Sequence, residues 1–204
     1  MPGKFFKAPY SIYRKPRLLT VCSLLIAFCT FSSPSYGEAI FGTYVLKPGH
    51  IDTGFSVKVL GRGPVTGQFT RVSGKIVLDR QRPERSKVRV KVDLRTVRTA
   101  NSKVTGFLKS PAMFDVSNHP VAHFSSTRVR ITGKNSAEIE GVLSLRGRMQ
   151  RTKLQVLISG GSKRGKVVFE VSGAFLRSLY GMNAGLPVYA DRVNLRIRGT
   201  GQRH

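Results

Sequence analysis

Beyond Glu38 the apolar residues of this chain recur at every second position, segment after segment, and that periodicity leaves few folds open. In residues 86–94 (SKVRVKVDL), Val88, Val90, Val92 and Leu94 share one face, and Lys87, Arg89, Lys91 and Asp93 the other. Strict alternation of this length marks a strand with one buried and one wet face. Residues 53–61 repeat it with Phe55, Val57 and Val59 inward, and 137–145 with Ala137, Ile139, Leu143 and Leu145. Leu154, Val156 and Ile158 continue the set, then Val167, Phe169, Val171 and Phe175, then Val193, Leu195 and Ile197. A short strand at 43–47 precedes them.

Two stretches slip parity. From 65 to 78 the inward set passes from Val65, Gly67 and Phe69 to Val72, Gly74 and Ile76, and from 122 to 131 it passes from Phe124 to Val129. Each slip reads as a β-bulge, of the kind that bends strands into a barrel. Short turns rich in Gly, Pro, Asn and Ser separate the segments, which predicts about eight antiparallel strands closed on themselves. Residues 101–114 break the pattern, with Val104, Phe107 and Leu108 spaced as one helical turn that stops near Pro111. They form either a short helix over one barrel opening or a crossover loop that plugs the core with Phe107 and Phe114. Gly67, Gly74, Gly141 and Gly173 have inward parity, as barrel corners or as space for a hollow lumen.

Residues 1–37 read as a removable leader rather than part of this domain. Lys4, Lys7, Arg14, Lys15 and Arg17 precede an uncharged run of 14 residues, Leu18 to Phe31. That suits a signal peptide and is short for a bilayer span of about 20 residues. Ser35 and Gly37 suit cleavage before Glu38, with a second cut available after Ala39; an uncleaved anchor is the other reading. Phe28 and Val21 precede the two cysteines, which excludes the small-residue context of a lipid-modified cysteine. The expected mature chain, 38–204, is one domain of 167 residues without cysteine, which points to a bacterial periplasmic or secreted protein.

The leader holds five of the 35 Lys and Arg and none of the ten acids, so the mature chain keeps 30 bases, a formal +20. By parity the basic residues stand outward, among them Lys87, Arg89, Lys91, Arg128, Arg130, Arg146, Arg148, Arg151, Lys153, Lys163, Arg164, Lys166, Arg192 and Arg196. They form either a solvated outer face or one that docks on an anionic membrane. Nucleic-acid binding would want exposed aromatics between the bases, and here the aromatics are mostly inward. Catalysis finds no nominee: no thiol outside the leader, no Gly-x-Ser-x-Gly and no His-Glu-x-x-His. A metal site from Asp115, His119 and His123 is conceivable, but turn and surface positions suit those residues as well. We expect no enzyme, no cofactor and no metal.

Eight blocks in order resemble one known family. They begin at Tyr44-Val45-Leu46-Lys47-Pro48-Gly49-His50 and run through 55–61 with 65–69, and 74–79. Ser110-Pro111 with Phe114-Asp115-Val116, His119-Pro120 and 124–127 follow. Gly141-Val142-Leu143-Ser144-Leu145-Arg146-Gly147 and Arg177-Ser178-Leu179-Tyr180-Gly181-Met182 complete the set. The chain resembles the YceI-like, polyisoprenoid-binding family of bacterial periplasmic proteins; Lys47 and Val59 depart from its usual acid and histidine. The resemblance implies an all-β, eight-stranded antiparallel, extended lipocalin-like barrel with a short helix near one opening. It also implies a long isoprenoid or related lipid as ligand, a quinone included, and a cytochrome b561-type membrane protein as partner by analogy.

The expected lumen lining is Phe55, Val57, Val90, Val92, Phe107, Phe124, Leu143, Phe169 and Phe175. Arg177, inward by parity near a strand end, would hold either a lipid headgroup or an acid such as Asp191. The rival function is a non-enzymatic envelope scaffold, a filled barrel whose basic outer face binds anionic lipid or another polyanion.

Overall fold

The computed structural model describes residues 42–79, 81–162 and 165–204. The leader and its cleavage sites, and Lys163 and Arg164, lie outside the described residues.

Among the described residues eleven strands and one α-helix follow in order. They are β1 (Gly42–Leu46), β2 (Ile51–Val59), β3 (Arg62–Phe69), β4 (Val72–Leu78), β5 (Lys87–Asp93), β6 (Val97–Thr99) and α1 (Ser102–Lys109). Then come β7 (Val121–Gly133), β8 (Ser136–Leu145), β9 (Arg148–Ser162), β10 (Lys166–Leu176) and β11 (Tyr189–Arg203). Eight of them form an antiparallel ring in the order β1-β4-β5-β7-β8-β9-β10-β11, closed where Tyr44 and Val45 of β1 meet Arg203 and Gln202 of β11. The fold class is therefore a closed, all-β barrel.

The long β11 serves two neighbours, and this extends the barrel. Its C-terminal end pairs with β1, while Tyr189 to Gly199 pairs with β2, which carries β3 and β6 in turn. The parity slip in 65–78 has its cause here, and it is not a bulge. At Thr70 and Arg71 the chain leaves one pair of neighbours, β2 and β6, for another, β1 and β5. Arg71 seals the seam: its carbonyl accepts from Asp93 N at 3.0 Å, its N–H donates to Thr96 Oγ1 at 3.2 Å, and its guanidinium donates to Asp93 at 3.3 Å. The other slip is a bulge in β7, where the register against β8 shifts between Ser126 and Arg128.

Helix α1 starts at Asn101, whose Oδ1 accepts from Lys103 N at 2.9 Å and Val104 N at 3.3 Å, a side-chain cap for otherwise orphaned donors. It buries Leu108 and is pinned to β6, where Thr99 N donates to Thr105 Oγ1 at 3.0 Å. The β8–β9 hairpin turns on Arg146 and Gly147, at φ 51° and 69°, the paired left-handed conformation that tight hairpins need. The Arg146 guanidinium donates to Gly181 O at 2.9 Å and Pro111 O at 3.0 Å, so the hairpin is tied to the loops at the same barrel end.

Candidate functional site: the barrel lumen

Two adjoining hollows of about 150 Å³ and about 120 Å³ run along the barrel interior. Thr53, Val90, Val92, Phe124, Leu154 and Ile197 line both, so these six form the waist between them. The first compartment extends past Phe169, Val171 and Ile139 to Leu78, Ser86, Ile131 and Ile158. Ile131, 56% exposed, marks where that end meets solvent. The second ends on Phe55, Phe69 and Phe114, whose rings stack in series at centroid distances of 5.5 and 5.6 Å. Apolar cavities near 150 Å³ stay dry and take guests the size of benzene. Each compartment therefore suits a short branched hydrocarbon unit, and the two in line suit a chain.

Bulky inward side chains reach over glycines of the wall. A Cβ at Gly141 would sit 2.5 Å from Phe124 Cζ and 2.6 Å from Ser125 O; one at Gly199 would sit 2.9 Å from Phe169 Cζ. Phe55 lies over Gly67 in the same way, and Leu154 over Gly173. Without side chains on those wall positions, four large residues fold down against backbone instead of standing toward the axis. Of the four inward glycines, Gly67 and Gly141 are thus seats for rings and Gly173 a seat for Leu154, whereas Gly74 lets the Arg89 carbonyl approach.

The walls are almost wholly carbon. Ser86 Oγ is engaged by Asp79 N at 3.1 Å, whereas Thr53 Oγ1 is buried without a hydrogen-bond partner among the described residues. Asp115, which carries a positive φ of 51°, accepts from Asn118 Nδ2 at 3.0 and 3.1 Å. His123 is exposed on β7, and among the described residues no three His, Cys, Asp or Glu side chains converge as metal ligands would.

Of the residues expected in the lumen, Val90, Val92 and Phe124 line both compartments, Phe169 the first, and Phe55, Leu143 and Phe175 the second. Two expectations need correction. Val57 lines an outer groove between α1, β2 and the 184–189 segment, and neither compartment. Phe107 lines that groove too and is 48% exposed, because Val104 and Leu108, four apart on α1, take the inward face and leave Phe107 beside it. Leu154, Phe69 and Phe114 line the lumen as well; Leu154 and Phe69 had the inward parity that could have nominated them.

Arg177 borders the outer groove, and it hydrogen-bonds main-chain carbonyls rather than Asp191. It is 2% exposed, and its guanidinium donates to Ala190 O (3.1 Å), Ala184 O (2.8 Å), Tyr189 O (2.9 Å) and Met182 O. Burial pushes its pKa below the usual arginine value, with partial compensation from the Asp191 charge. Asp191 instead accepts from Ser178 N at 2.8 Å and Ser178 Oγ at 2.6 Å. Arg177 thus clamps the loop of residues 182–190, and Tyr180, edge-on to Phe175 at 5.4 Å, has its phenol held above its ordinary pKa by burial. On the outer wall Glu138, Glu140 and Glu170 accept from Arg130, Lys153 and Arg196 at 2.8, 2.9 and 2.7 Å. Those bonds hold all three carboxyls below the usual range and neutralise part of the basic face.

A closed antiparallel barrel with a carbon-lined interior has the lipocalin-like architecture. Its sequence matches the YceI-like domain over residues 44–200, and the chain belongs to that family. It is 34% identical over 113 residues to a UPF0312 protein of Azotobacter vinelandii, covering 54% of this chain and 59% of that one. A UPF0312 protein of Pseudomonas aeruginosa is 32% identical over 130 residues, 63% of this chain and 66% of the relative. The fold is shared with BcnA of Burkholderia cenocepacia (TM-score 0.68, 17% identity, 74% of this chain and 95% of the other). It is shared too with a polyisoprenoid-binding domain from Saccharophagus degradans implicated in plant cell wall breakdown (TM-score 0.65, 14% identity, 80% and 99%).

Proposed function

We propose that the protein holds a long isoprenoid or related apolar chain, quinones included, in its lumen, and stores or carries it in the bacterial periplasm without chemically altering it. The observation that carries this reading is the pair of carbon-lined compartments joined through one shared waist. Burying a methylene contributes about 0.8 kcal/mol, so a five-carbon isoprene unit contributes about 3–4 kcal/mol before association costs. A few units bind without any headgroup contact, and chain length rather than head chemistry sets affinity. The hollow interior favours a carrier over a filled scaffold barrel. The periplasmic setting rests on the leader-like sequence of residues 1–37, and a cytochrome b561-type partner on family resemblance alone.

The test is mass spectrometry of lipid extracted from protein expressed with its own leader in a bacterial host. The expected result is one isoprenoid-type chain per barrel, on a polypeptide beginning near Glu38, and its loss in Leu154→Asp. Protein that retains no stoichiometric lipid overturns the carrier; an uncleaved chain in the cytoplasmic fraction overturns the location.

A further inference from the structure

We propose that the helix-side rim of the barrel docks on an anionic phospholipid bilayer, so that the lumen exchanges its lipid directly with the membrane. The proposal rests on the carrier reading for its purpose, but its observations are separate.

Among the described residues twelve large apolar side chains are exposed, and seven of them fall in the three segments that build this rim, Leu60, Phe107, Leu186, Val188 and Tyr189 among them. Leu60, at the β2–β3 turn, is 77% exposed, and its N–H donates to Val188 O at 2.9 Å, which joins the turn to the 184–189 segment. Phe107 and Tyr189 line one groove together with Lys103. Contiguous exposed apolar surface of this kind marks a place where something docks.

Charge indicates which kind of surface. The three segments that build the rim, residues 57–65, 101–114 and 176–190, contain no Asp or Glu at all. They carry Lys58, Arg62 and Lys103, all exposed and in no ion pair among the described residues. On the outer wall, by contrast, Glu138, Glu140 and Glu170 are each bonded to a base. Exposed apolar side chains beside unpaired cations, with the adjoining Asp115 and Asp191 carboxylates taken up by Asn118 and Ser178, match the interface of an anionic bilayer, where acyl boundary and headgroup charge meet. The rim also adjoins the lumen: Phe55 lines both the rim groove and the second compartment, so a single ring stands between them.

The experiment is vesicle flotation of the full chain, with phosphatidylcholine vesicles compared with phosphatidylcholine–phosphatidylglycerol vesicles. The wild type should float only with the anionic vesicles, and less so at about 1 M salt, where the Debye length falls to about 3 Å. Leu60→Glu with Val188→Glu should cut partitioning on the order of tenfold or more. Each of Lys58→Gln and Arg62→Gln should cut it about fivefold. Lys87→Gln with Lys91→Gln, on the wall, should leave it unchanged. Circular dichroism verifies the fold of every variant, and Lys58→Gln and Arg62→Gln touch only exposed side chains. The proposal is overturned if the wild type ignores anionic vesicles, or if wall and not rim variants abolish flotation. It is also overturned if the rim variants instead dissolve a dimer in solution, which would make the rim a self-association face. Lipid retained in the lumen is read separately by mass spectrometry, so rim variants that keep their lipid but lose vesicles leave the carrier reading intact. A wild type that floats while holding no lipid leaves docking standing and removes the carrier.

Discussion

The lumen and the loop clamp at its helix-side end are two residues apart at Phe175 and Arg177, yet they are built by opposite rules. In the lumen almost nothing is hydrogen-bonded, because almost nothing there can be. In the clamp one guanidinium reaches four main-chain carbonyls, and the neighbouring carboxylate has taken the Ser178 donors. The first arrangement leaves room and asks only for apolar bulk. The second has no slack, since a buried acceptor left unpaired costs about 1–3 kcal/mol. The contrast teaches a division of labour: recognition is left to area and shape, and position is fixed by saturated polar contacts.

Breaking the clamp should have the largest effect. Arg177→Met leaves four carbonyls facing each other, and we expect a loss of about 3–5 kcal/mol in chemical denaturation. Its lipid, where the fold survives, should keep the same chain length. An Arg177→Met variant as stable as the wild type would remove the clamp from the account.

Gly141→Ala attacks the other region by taking away the seat of Phe124. The ring must swing toward the waist and Ser125 must move, a strain of about 1–3 kcal/mol. Binding of a series of isoprenoids should then shift toward short chains, because the two compartments are separated. Unchanged length preference, measured by competition, would mean that the waist does not decide length.

A smaller effect belongs to Asp93, which caps the turn after β5 and takes Arg95 Nε at 2.9 Å and Arg71 Nη1 at 3.3 Å. The Arg95 bond leads the causes that hold its carboxyl below the ordinary value. A folded-state pKa that is depressed contributes stability above the unfolded value of about 3.9, lost as pH falls through the folded value. Asn caps as well as Asp, so Asp93→Asn should lose only the screened Arg71 and Arg95 pairs, about 0.2–1 kcal/mol at neutral pH and nothing in strong acid. A deficit that persists at pH 2 in thermal melts would assign the loss to shape rather than charge.

Thr53→Val offers the finest cut. Its hydroxyl is buried at the waist without an acceptor, so an isosteric methyl should raise stability by about 1 kcal/mol and leave hydrocarbon binding unchanged. A selective fall in affinity for quinones would mean that the lumen reads head chemistry after all.

How much of this could be read beforehand differs by residue. Val90, Val92 and Phe124 were legible as lumen residues because a strand side chain has only two directions to point. Phe107 was misplaced because its neighbourhood follows a period of 3.6, and which of three apolar helix residues turns inward depends on what the helix packs against. Arg177 was legible as inward but not as to its partners, since the carbonyls it holds belong to a loop whose path has no period.

Alternation in the chain determined by itself that strands would form, which faces would be apolar, and that a ring was the economical way to bury them. Pairing between distant strands decided the rest: that β11 serves two neighbours, that the slip near Thr70 is a change of partners, and that rings settle over glycines and leave a hollow. The reason is physical. Facing direction is a local property of an extended backbone, whereas the space a side chain finds is set by residues tens of positions away.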